Sequence, residues 1–330
     1  MTKVLILRPN SSSKVNGIDS YCYALKNMFN DDIDISILPI QNYKSRSCSI
    51  LHGIYKFSDL ITAVRSSEAD IVHINGYTSY QVFQAFRAAI KYNKKIVYTA
   101  HWHPYKMLRH PIGGKLFFNI LLKPLIKKYA NVVITLNNED TEYFTGFHSN
   151  IIKVPHWMRF PSSSNDGDNS NKISNRILFV GRFNGANKGA DHILSLPEGK
   201  FDIHIVGAGK IPDHRTDMTI HHEISDSELR NLYKSAAVVV VPSKYEAFSY
   251  VTLEALTSNT PVVISDRVRI GDYVQGISGV HIFSYGDYHE FADAVNKAIG
   301  DTVDVKTVFK IFDKDRIKHI YRRIYGAERN

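Results

Sequence analysis

Two carboxylates with seven residues between them, Glu246 and Glu254, lie in the stretch Val238-Val-Val-Val-Pro-Ser-Lys-Tyr-Glu246-Ala-Phe-Ser-Tyr-Val-Thr-Leu-Glu254-Ala-Leu-Thr-Ser-Asn-Thr-Pro-Val-Val-Ile264. The β-branched run closed by Pro242 reads as a buried parallel strand. Val251 to Leu256 reads as the first turns of a helix, and Asn259-Thr260-Pro261 stops it before another apolar strand. In an open α/β sheet, ligands bind outside the carboxyl ends of the strands. Amides at a helix N-terminus suit an anion such as pyrophosphate, and carboxylates beside them can accept hydrogen bonds from sugar or ribose hydroxyls. The chemistry this spacing suggests is a nucleotide-sugar cradle. The plainer alternative is a helix-start carboxylate followed by a solvated one.

Other residues suit the same chemistry. In Arg176-Ile-Leu-Phe-Val-Gly181-Arg182-Phe-Asn-Gly-Ala-Asn-Lys188-Gly189, a strand ends in Gly-Arg and a Lys-Gly pair opens a helix, so two cations are aimed at a strand-end crevice. Surface cations on a loop are the bland reading. Arginine can grip phosphate bidentately, whereas lysine acts as a point charge. His101 follows the strand Lys95 to Thr99, at a carboxyl end, with His103 as its rival. Metal ligation by that pair is disfavoured, because alternate residues of an extended chain point oppositely and no Cys or carboxylate lies nearby to complete a site. Gly207-Ala-Gly209 lacks the third glycine of a dinucleotide fingerprint and reads equally as a Gly-permitted turn or as close backbone approach to a nucleotide.

These motifs resemble those of retaining glycosyltransferases of the GT-B fold, family 4 (glycosyl transferases group 1), of the bacterial surface-polysaccharide and lipopolysaccharide type. The resemblance rests on the Pro-Ser-x-Tyr-Glu246-Ala-Phe lead-in, the Glu246/Glu254 spacing, the Asn-Thr-Pro-Val-Val exit and the Val-Gly181-Arg182…Lys188-Gly189 string. It is strong over residues 176–265 and thin over 1–70. It implies two Rossmann-like α/β domains facing a cleft, with a C-terminal helix crossing back to the first. It also implies transfer of a sugar, with retention, from a UDP- or GDP-linked donor to a hydroxyl of a glycan or lipid-linked acceptor. No metal and no cofactor are implied.

By the same resemblance, Arg182 and Lys188 hold the donor's pyrophosphate with the amides of Ala247, Phe248, Ser249 and Tyr250. Glu246 holds sugar hydroxyls, Glu254 the ribose, and His101 lies near the reacting sugar. Gly17 belongs to a loop near the donor phosphates, its usual paired glycine being Asn16 here. Gly181 and Gly207 line the nucleotide, and Glu223 and Ile224 lie near the base. The leaving phosphate helps deprotonate the incoming hydroxyl. The alternatives weighed against this reading are a GT-B nucleotide-sugar epimerase and a non-catalytic nucleotide-sugar or nucleic-acid binder.

The elements that must position these groups follow from periodicity. Strands are expected at Lys3–Leu7, Ile33–Leu38, Asp70–Gly76, Lys95–Thr99, Asn131–Leu136 and Ile151–Pro155 in the first half. In the second half they are expected at Arg176–Val180, Phe201–Val206, Thr219–Ile224, Val238–Val241, Pro261–Ile264 and Gly279–Phe283. Ser225 and Glu228 read as a capping box, and Val305 to Tyr325 as one basic helix. The domain reading is 1–160 with a helix at about 312–330, a Ser/Asn/Asp/Gly linker at 161–175, and 176–311 as the nucleotide-sugar domain.

The chain has 330 residues and a net charge of +9. Residues 1–160 hold 20 Lys/Arg against 10 Asp/Glu, while 161–330 hold 21 against 22. No Asp or Glu occurs from 71 to 138, where Lys115 and Lys123 bracket the run Leu116-Phe-Phe-Asn-Ile-Leu-Leu122. Apolar residues between cations suit an anionic membrane surface, and a core helix with a solvated basic face is the equal alternative on that segment alone. No nucleic-acid motif accompanies the charge. Cys22 and Cys48 make no disulfide framework, the N-terminus reads as a strand rather than a secretory signal, and no apolar window spans a bilayer. A cytoplasmic protein, peripheral on the inner face of the membrane, is expected. The Asp-x-Asp strings at Asp32/Asp34, Asp166/Asp168 and Asp313/Asp315 fall at a strand edge, in the linker and in the last helix, away from strand ends where a nucleotide-bound metal would sit.

Overall fold

In the computed structural model the chain divides into two compact units, Met1–His156 with Lys314–Asn330, and Trp157–Asp313. The structure describes residues 1–9, 17–29, 32–40, 59–76, 78–106, 111–158, 172–183, 185, 187–210 and 215–327. Asn16 of the loop expected before Gly17, Cys48 and positions 161–171 of the expected linker lie outside them.

The first unit is a six-stranded parallel sheet of β1 (Thr2–Pro9), β2 (Ile33–Ile40), β3 (Ile71–Gly76), β4 (Lys95–Ala100), β5 (Val132–Thr135) and β6 (Ile151–Lys153), in the order β2-β1-β3-β4-β5-β6. Its helices are α1 (Gly17–Met28), α2 (residues 59–66), α3 (Tyr80–Lys91), α4 (Pro111–Phe117), a π-helical turn at Phe118–Leu122, α5 (Lys123–Tyr129) and α6 (Asn138–Thr145). The inner strands β3 and β4 are buried almost throughout, as parallel strands covered on both faces must be. The sheet reverses direction of growth between β1 and β3, so the crevice at their carboxyl ends is the natural ligand position of this unit.

The second unit repeats the plan. Strands β7 (Ile173–Val180), β8 (Asp202–Val206), β9 (Met218–His221), β10 (Ala236–Val241), β11 (Val262–Ser265) and β12 (Val280–Phe283) run parallel in the order β12-β11-β10-β7-β8-β9. Here the reversal falls between β7 and β10. Helices α7 (Ala190–Leu194), α8 (Asp226–Ser235), α9 (Tyr250–Thr257), α10 (Gly271–Val274), α11 (Tyr288–Ala298) and α12 (Val305–Ile311) connect or cover these strands. All six residues of β10, Ala-Ala-Val-Val-Val-Val, are buried, each valine side chain contributing about 1.5 kcal/mol or more by leaving water.

Two expected elements differ. The strand expected over Thr219–Ile224 ends at His221, because Glu223 takes a left-handed conformation (φ 51°) that no strand accommodates. Ser225 then caps α8, with Glu228 bonded back to it in a complete capping box. The single helix expected over Val305–Tyr325 is two, α12 and α13 (Lys314–Tyr325). Phe312 leaves helical geometry (φ −104°, ψ 27°) and buries its ring against Phe248 and Tyr273 of the second unit, while α13 belongs to the first.

Helix α13 packs on the first unit through buried Ile317, Tyr321, Ile324 and Tyr325. The Tyr321 hydroxyl meets that of Tyr21 at 2.6 Å, and the Tyr325 hydroxyl meets Nδ1 of His73 at 2.7 Å. Arg322 holds Asp32 at 2.5 Å, Lys318 lies over the Phe29 ring, and Lys95 donates to the Ile324 carbonyl. Two cations of the expected basic helix, Lys318 and Arg322, are therefore engaged with the unit.

Candidate active site

Strands β7 and β10 flank the reversal point of the second sheet, and the two motif strings leave from their carboxyl ends. After β7 the chain runs Gly181-Arg182 to Lys188-Gly189; after β10 it runs Pro242-Ser-Lys-Tyr-Glu246 into α9. Backbone contacts join the strings directly: Lys244 donates its amide to the Asn187 carbonyl at 2.8 Å. Gly189 has φ 69°, and a Cβ built there would stand 1.8 Å from the Pro242 carbonyl oxygen, so only glycine lets the strings close up. A second close approach lies beside it, where a Cβ on Gly207 (φ 138°) would meet the Gly181 carbonyl oxygen at 2.4 Å.

This closure brings two of the expected residues together. Lys188 donates from Nζ to Oε1 of Glu246 at 2.7 Å, and Ser243 donates to the same oxygen at 2.8 Å. Both of these bonds go to Oε1 and neither to Oε2. The Glu246 backbone is pinned as well, bridging to Val268 and bonding Arg267 and Arg269. Arg182 is exposed on the same loop, and the aliphatic stem of Lys188 packs 3.6 Å from the position of a Gly181 Cβ.

Ser249 caps α9, its side chain accepting from the Thr252 amide, and Ala247 and Phe248 lead from Glu246 into that cap. Glu254, by contrast, is only 4% exposed and accepts a hydrogen bond from the buried Tyr233 hydroxyl at 2.9 Å. Glu223 is exposed in its left-handed turn, and Ile224 follows it outside β9. Gly17 is the first residue of α1, and a Cβ there would touch nothing within 4 Å.

In the first unit His101 follows β4, buried, with its ring edge-on to Tyr21 at 4.8 Å and roughly parallel to His156 at 6.0 Å. Its Nε2 lies 3.0 Å from Oδ1 of Asn75, at the end of β3. Burial alone pushes the imidazole down to about 3, so it is neutral at physiological pH. His103 points elsewhere, into an aromatic cluster with Tyr143 at 5.0 Å and Tyr105 at 5.8 Å. Sequence reasoning missed Asn75, Ser243 and Tyr233. Each is an ordinary polar residue whose partner lies 26, 3 and 21 positions away, and only the fold shows which of them face each other.

The segment from α4 to α5 is apolar on two opposite sides. Phe118, Leu122 and Ile126 are fully buried against the core, at four-residue steps. Ile112, Leu116 and Ile120, also at four-residue steps, are 86%, 58% and 60% exposed, with Leu121, Tyr129 and nearby Trp102 exposed too. Lys115, Lys127 and Lys128 are exposed along the same segment, and Lys123 lies over the Phe147 ring. Among the described residues no helix is long and apolar enough to cross a membrane.

Residues 174–301 match the family model described as "Glycosyl transferases group 1". That match lies within the second unit, which is similar to the family over this stretch. The chain is 26% identical over 231 residues to the O-antigen chain mannosyltransferase RfbU of Salmonella typhimurium, covering 57% of this chain and 61% of that one. It is 27% identical over 290 residues to the alpha-maltose-1-phosphate synthase of Mycobacterium tuberculosis, covering 74% and 73%. An uncharacterized glycosyltransferase of Methanocaldococcus jannaschii matches at 36% over 123 residues, which is 32% of this chain and 31% of that relative. Among solved structures, the lipopolysaccharide outer core galactosyltransferase WaaB superposes with a TM-score of 0.70 at 16% identity, covering 99% of this chain and 100% of that one. Anabaena HepE in complex with UDP superposes with a TM-score of 0.73 at 14% identity and the same coverage. Those likenesses carry the fold, which is GT-B.

Proposed function

We propose that this glycosyltransferase moves a sugar, with retention, from a UDP- or GDP-linked donor to a hydroxyl of a glycan or glycolipid, in the synthesis of cell-surface polysaccharide or lipopolysaccharide. The observation that carries this reading is the meeting of Lys188 and Glu246 at the reversal point of the second sheet. A cation and a carboxylate held side by side there suit the two parts of a sugar nucleotide, its diphosphate and its sugar hydroxyls. HepE, a protein of the same fold, has been solved with UDP and with UDP-glucose, and RfbU and WaaB are named for O-antigen and lipopolysaccharide transfer.

In this reading Arg182, Lys188 and the amides of Ala247 to Tyr250 stabilise the charge that gathers on the departing diphosphate. Glu246 accepts from the sugar hydroxyls through Oε2, and its oxygen toward Lys188 and Ser243 fixes its orientation. Glu254 is assigned to the ribose; it reaches that role from its bond with Tyr233. Gly17, Gly181 and Gly207 line the nucleotide, Glu223 and Ile224 lie near the base, and His101 near the reacting sugar. The leaving phosphate takes the proton of the incoming hydroxyl, and no metal is needed.

The site of work is the inner face of the cytoplasmic membrane, with the exposed Ile112, Leu116 and Ile120 and their flanking lysines set against anionic headgroups. An aliphatic ladder facing solvent opposite a buried one is the arrangement an interfacial helix needs. Incubation with a panel of UDP- and GDP-sugars and with glycan or lipid-linked acceptors tests the transfer. The expected product is a glycoside with the donor's anomeric configuration, read by NMR coupling constants. Interconversion of the donor without acceptor would replace the reading by an isomerase, and an inverted product would remove retention.

A further inference from the structure

Asn75 is the last residue but one of β3, in register beside Thr99 and just before Gly76 pairs with Ala100, and it is fully buried. The amide has two different ends. Nδ2 points to the His73 carbonyl at 3.4 Å, and Oδ1 lies 3.0 Å from Nε2 of His101. A carbonyl oxygen only accepts, so in a neutral imidazole Nε2 must carry the hydrogen. Nδ1 is then left with the lone pair. The backbone completes the clamp, with the His101 amide donating to the Gly76 carbonyl.

From this geometry we infer that Asn75 is a positioning residue, which locks His101 as the Nε2–H tautomer and presents Nδ1 as an acceptor for a substrate hydroxyl. The inference rests on the proposed role of His101 beside the reacting sugar, and deepens it by stating which ring nitrogen serves and why. A sugar hydroxyl donating to Nδ1 gains electron density on its oxygen without a proton changing owner, so His101 orients and polarises rather than acting as a base.

The surroundings favour a neutral ring. The titratable groups facing it are Tyr21 from α1, His73 from β3 and His156, with Tyr321 of α13 bonded behind Tyr21. Burial raises both phenols and lowers His73 to about 3, leaving these three uncharged at neutral pH. His73 is itself committed, its nitrogens bonded to Tyr325 and Thr99. A charged imidazole at position 101 would have to lose its acceptor at Nδ1, which makes exclusion of the proton part of the same device.

Two variants of near-identical shape separate the possibilities. Asn75→Leu removes the acceptor; Asn75→Asp keeps it and adds a negative charge, which favours imidazolium and raises its pKa. Long-range 1H–15N spectra of histidine-labelled protein report the tautomer directly, whether or not sugar transfer is seen. Wild type should show His101 as Nε2–H, Asn75→Leu a mixture, and Asn75→Asp the Nε2–H form at high pH with a titration appearing between about pH 5 and 8. In the transfer assay Asn75→Leu should lose roughly ten- to a hundredfold in kcat. Asn75→Asp should work near wild-type rate at pH 8.5 and decline as pH falls, where wild type shows no matching inflection. If Asn75→Leu does not fold, the Asn75→Asp profile decides alone. An Nδ1–H tautomer in wild type, or an Asn75→Asp rate profile superimposable on wild type, would overturn the inference. A correct tautomer pattern with no transfer from any donor would instead sink the proposed function and leave the clamp standing.

Discussion

Nζ of Lys188 lies 2.7 Å from Oε1 of Glu246, across 58 residues of chain and two strands of one sheet. Neither residue reaches the other by local structure. The contact exists because β7 and β10 are neighbours and because Gly189 lets the loop after one strand touch Pro242 after the other. In the proposed reading a bound diphosphate meets a lysine already oriented by a carboxylate, and the bound sugar a carboxylate already oriented by a lysine and a serine.

Replacing Glu246 by alanine should lower kcat/KM roughly ten- to a hundredfold, the worth of one hydrogen bond to a charged group. The fold should survive, because the side chain is partly exposed and its strand is held by backbone pairing. Steady-state kinetics with thermal denaturation of the same preparation checks both halves. Wild-type kinetics from a folded variant would remove Glu246 from the site.

Gly189→Ala and Gly199→Ala form a matched pair. Both glycines have left-handed backbones, φ 69° and 74°, but only at Gly189 would a Cβ strike another segment. Gly199→Ala should cost about 1 kcal/mol from strain alone. Gly189→Ala should cost distinctly more and also weaken nucleotide binding, since it pushes the two strings apart. Equal melting temperatures for the two variants would show that the contact with Pro242 does not hold the site.

Sugar transfer should persist in excess EDTA. In the proposed reading Arg182, Lys188 and the start of α9 offer positive charge to the diphosphate, which is the service a divalent ion would perform. Loss of activity restored by Mg2+ or Mn2+ would contradict that assignment of charge.

Vesicle co-sedimentation tests the exposed ladder. Binding should require anionic lipid and fall with salt. It should drop both when Lys123, Lys127 and Lys128 become Gln and when Leu116 and Ile120 become Ser. Each lysine near the surface contributes about 1 kcal/mol, so the triple variant should lose on the order of a hundredfold in partition. Equal binding to zwitterionic vesicles, or none to either, would leave a soluble acceptor as the better partner.

Much of this architecture was legible in residue order, for definite reasons. A run such as Ala236–Val241 has to be a covered strand, Pro242 has to end it, and Asn259-Thr260-Pro261 has to break the helix before β11. The Ser225/Glu228 box is written in four residues and forms as written. The family motifs marked the loops around the site. What stayed hidden depends on distance or on single dihedrals. The Tyr21–Tyr321 bond spans 300 positions, and that of His73 with Tyr325 spans 252. The early end of β9 turns on one left-handed residue, Glu223, and the break between α12 and α13 on the burial of one ring, Phe312. Helix α3, between two expected strands, is not among the expected elements; it starts at the Ser79 cap and buries a stripe from Val82 to Ala89.

The most direct measurement is a calorimetric titration of UDP and GDP into the wild-type protein and into its Arg182→Ala and Lys188→Ala variants. Wild type should bind one of the two nucleotides at a single site. Each variant should bind the same nucleotide roughly ten- to a hundredfold more weakly, since each loses a charge-assisted contact with the diphosphate. No binding of either nucleotide to folded wild type, or unchanged affinity in both variants, would show that the Gly181–Gly189 and Glu246 strings meet for some purpose other than holding a sugar nucleotide.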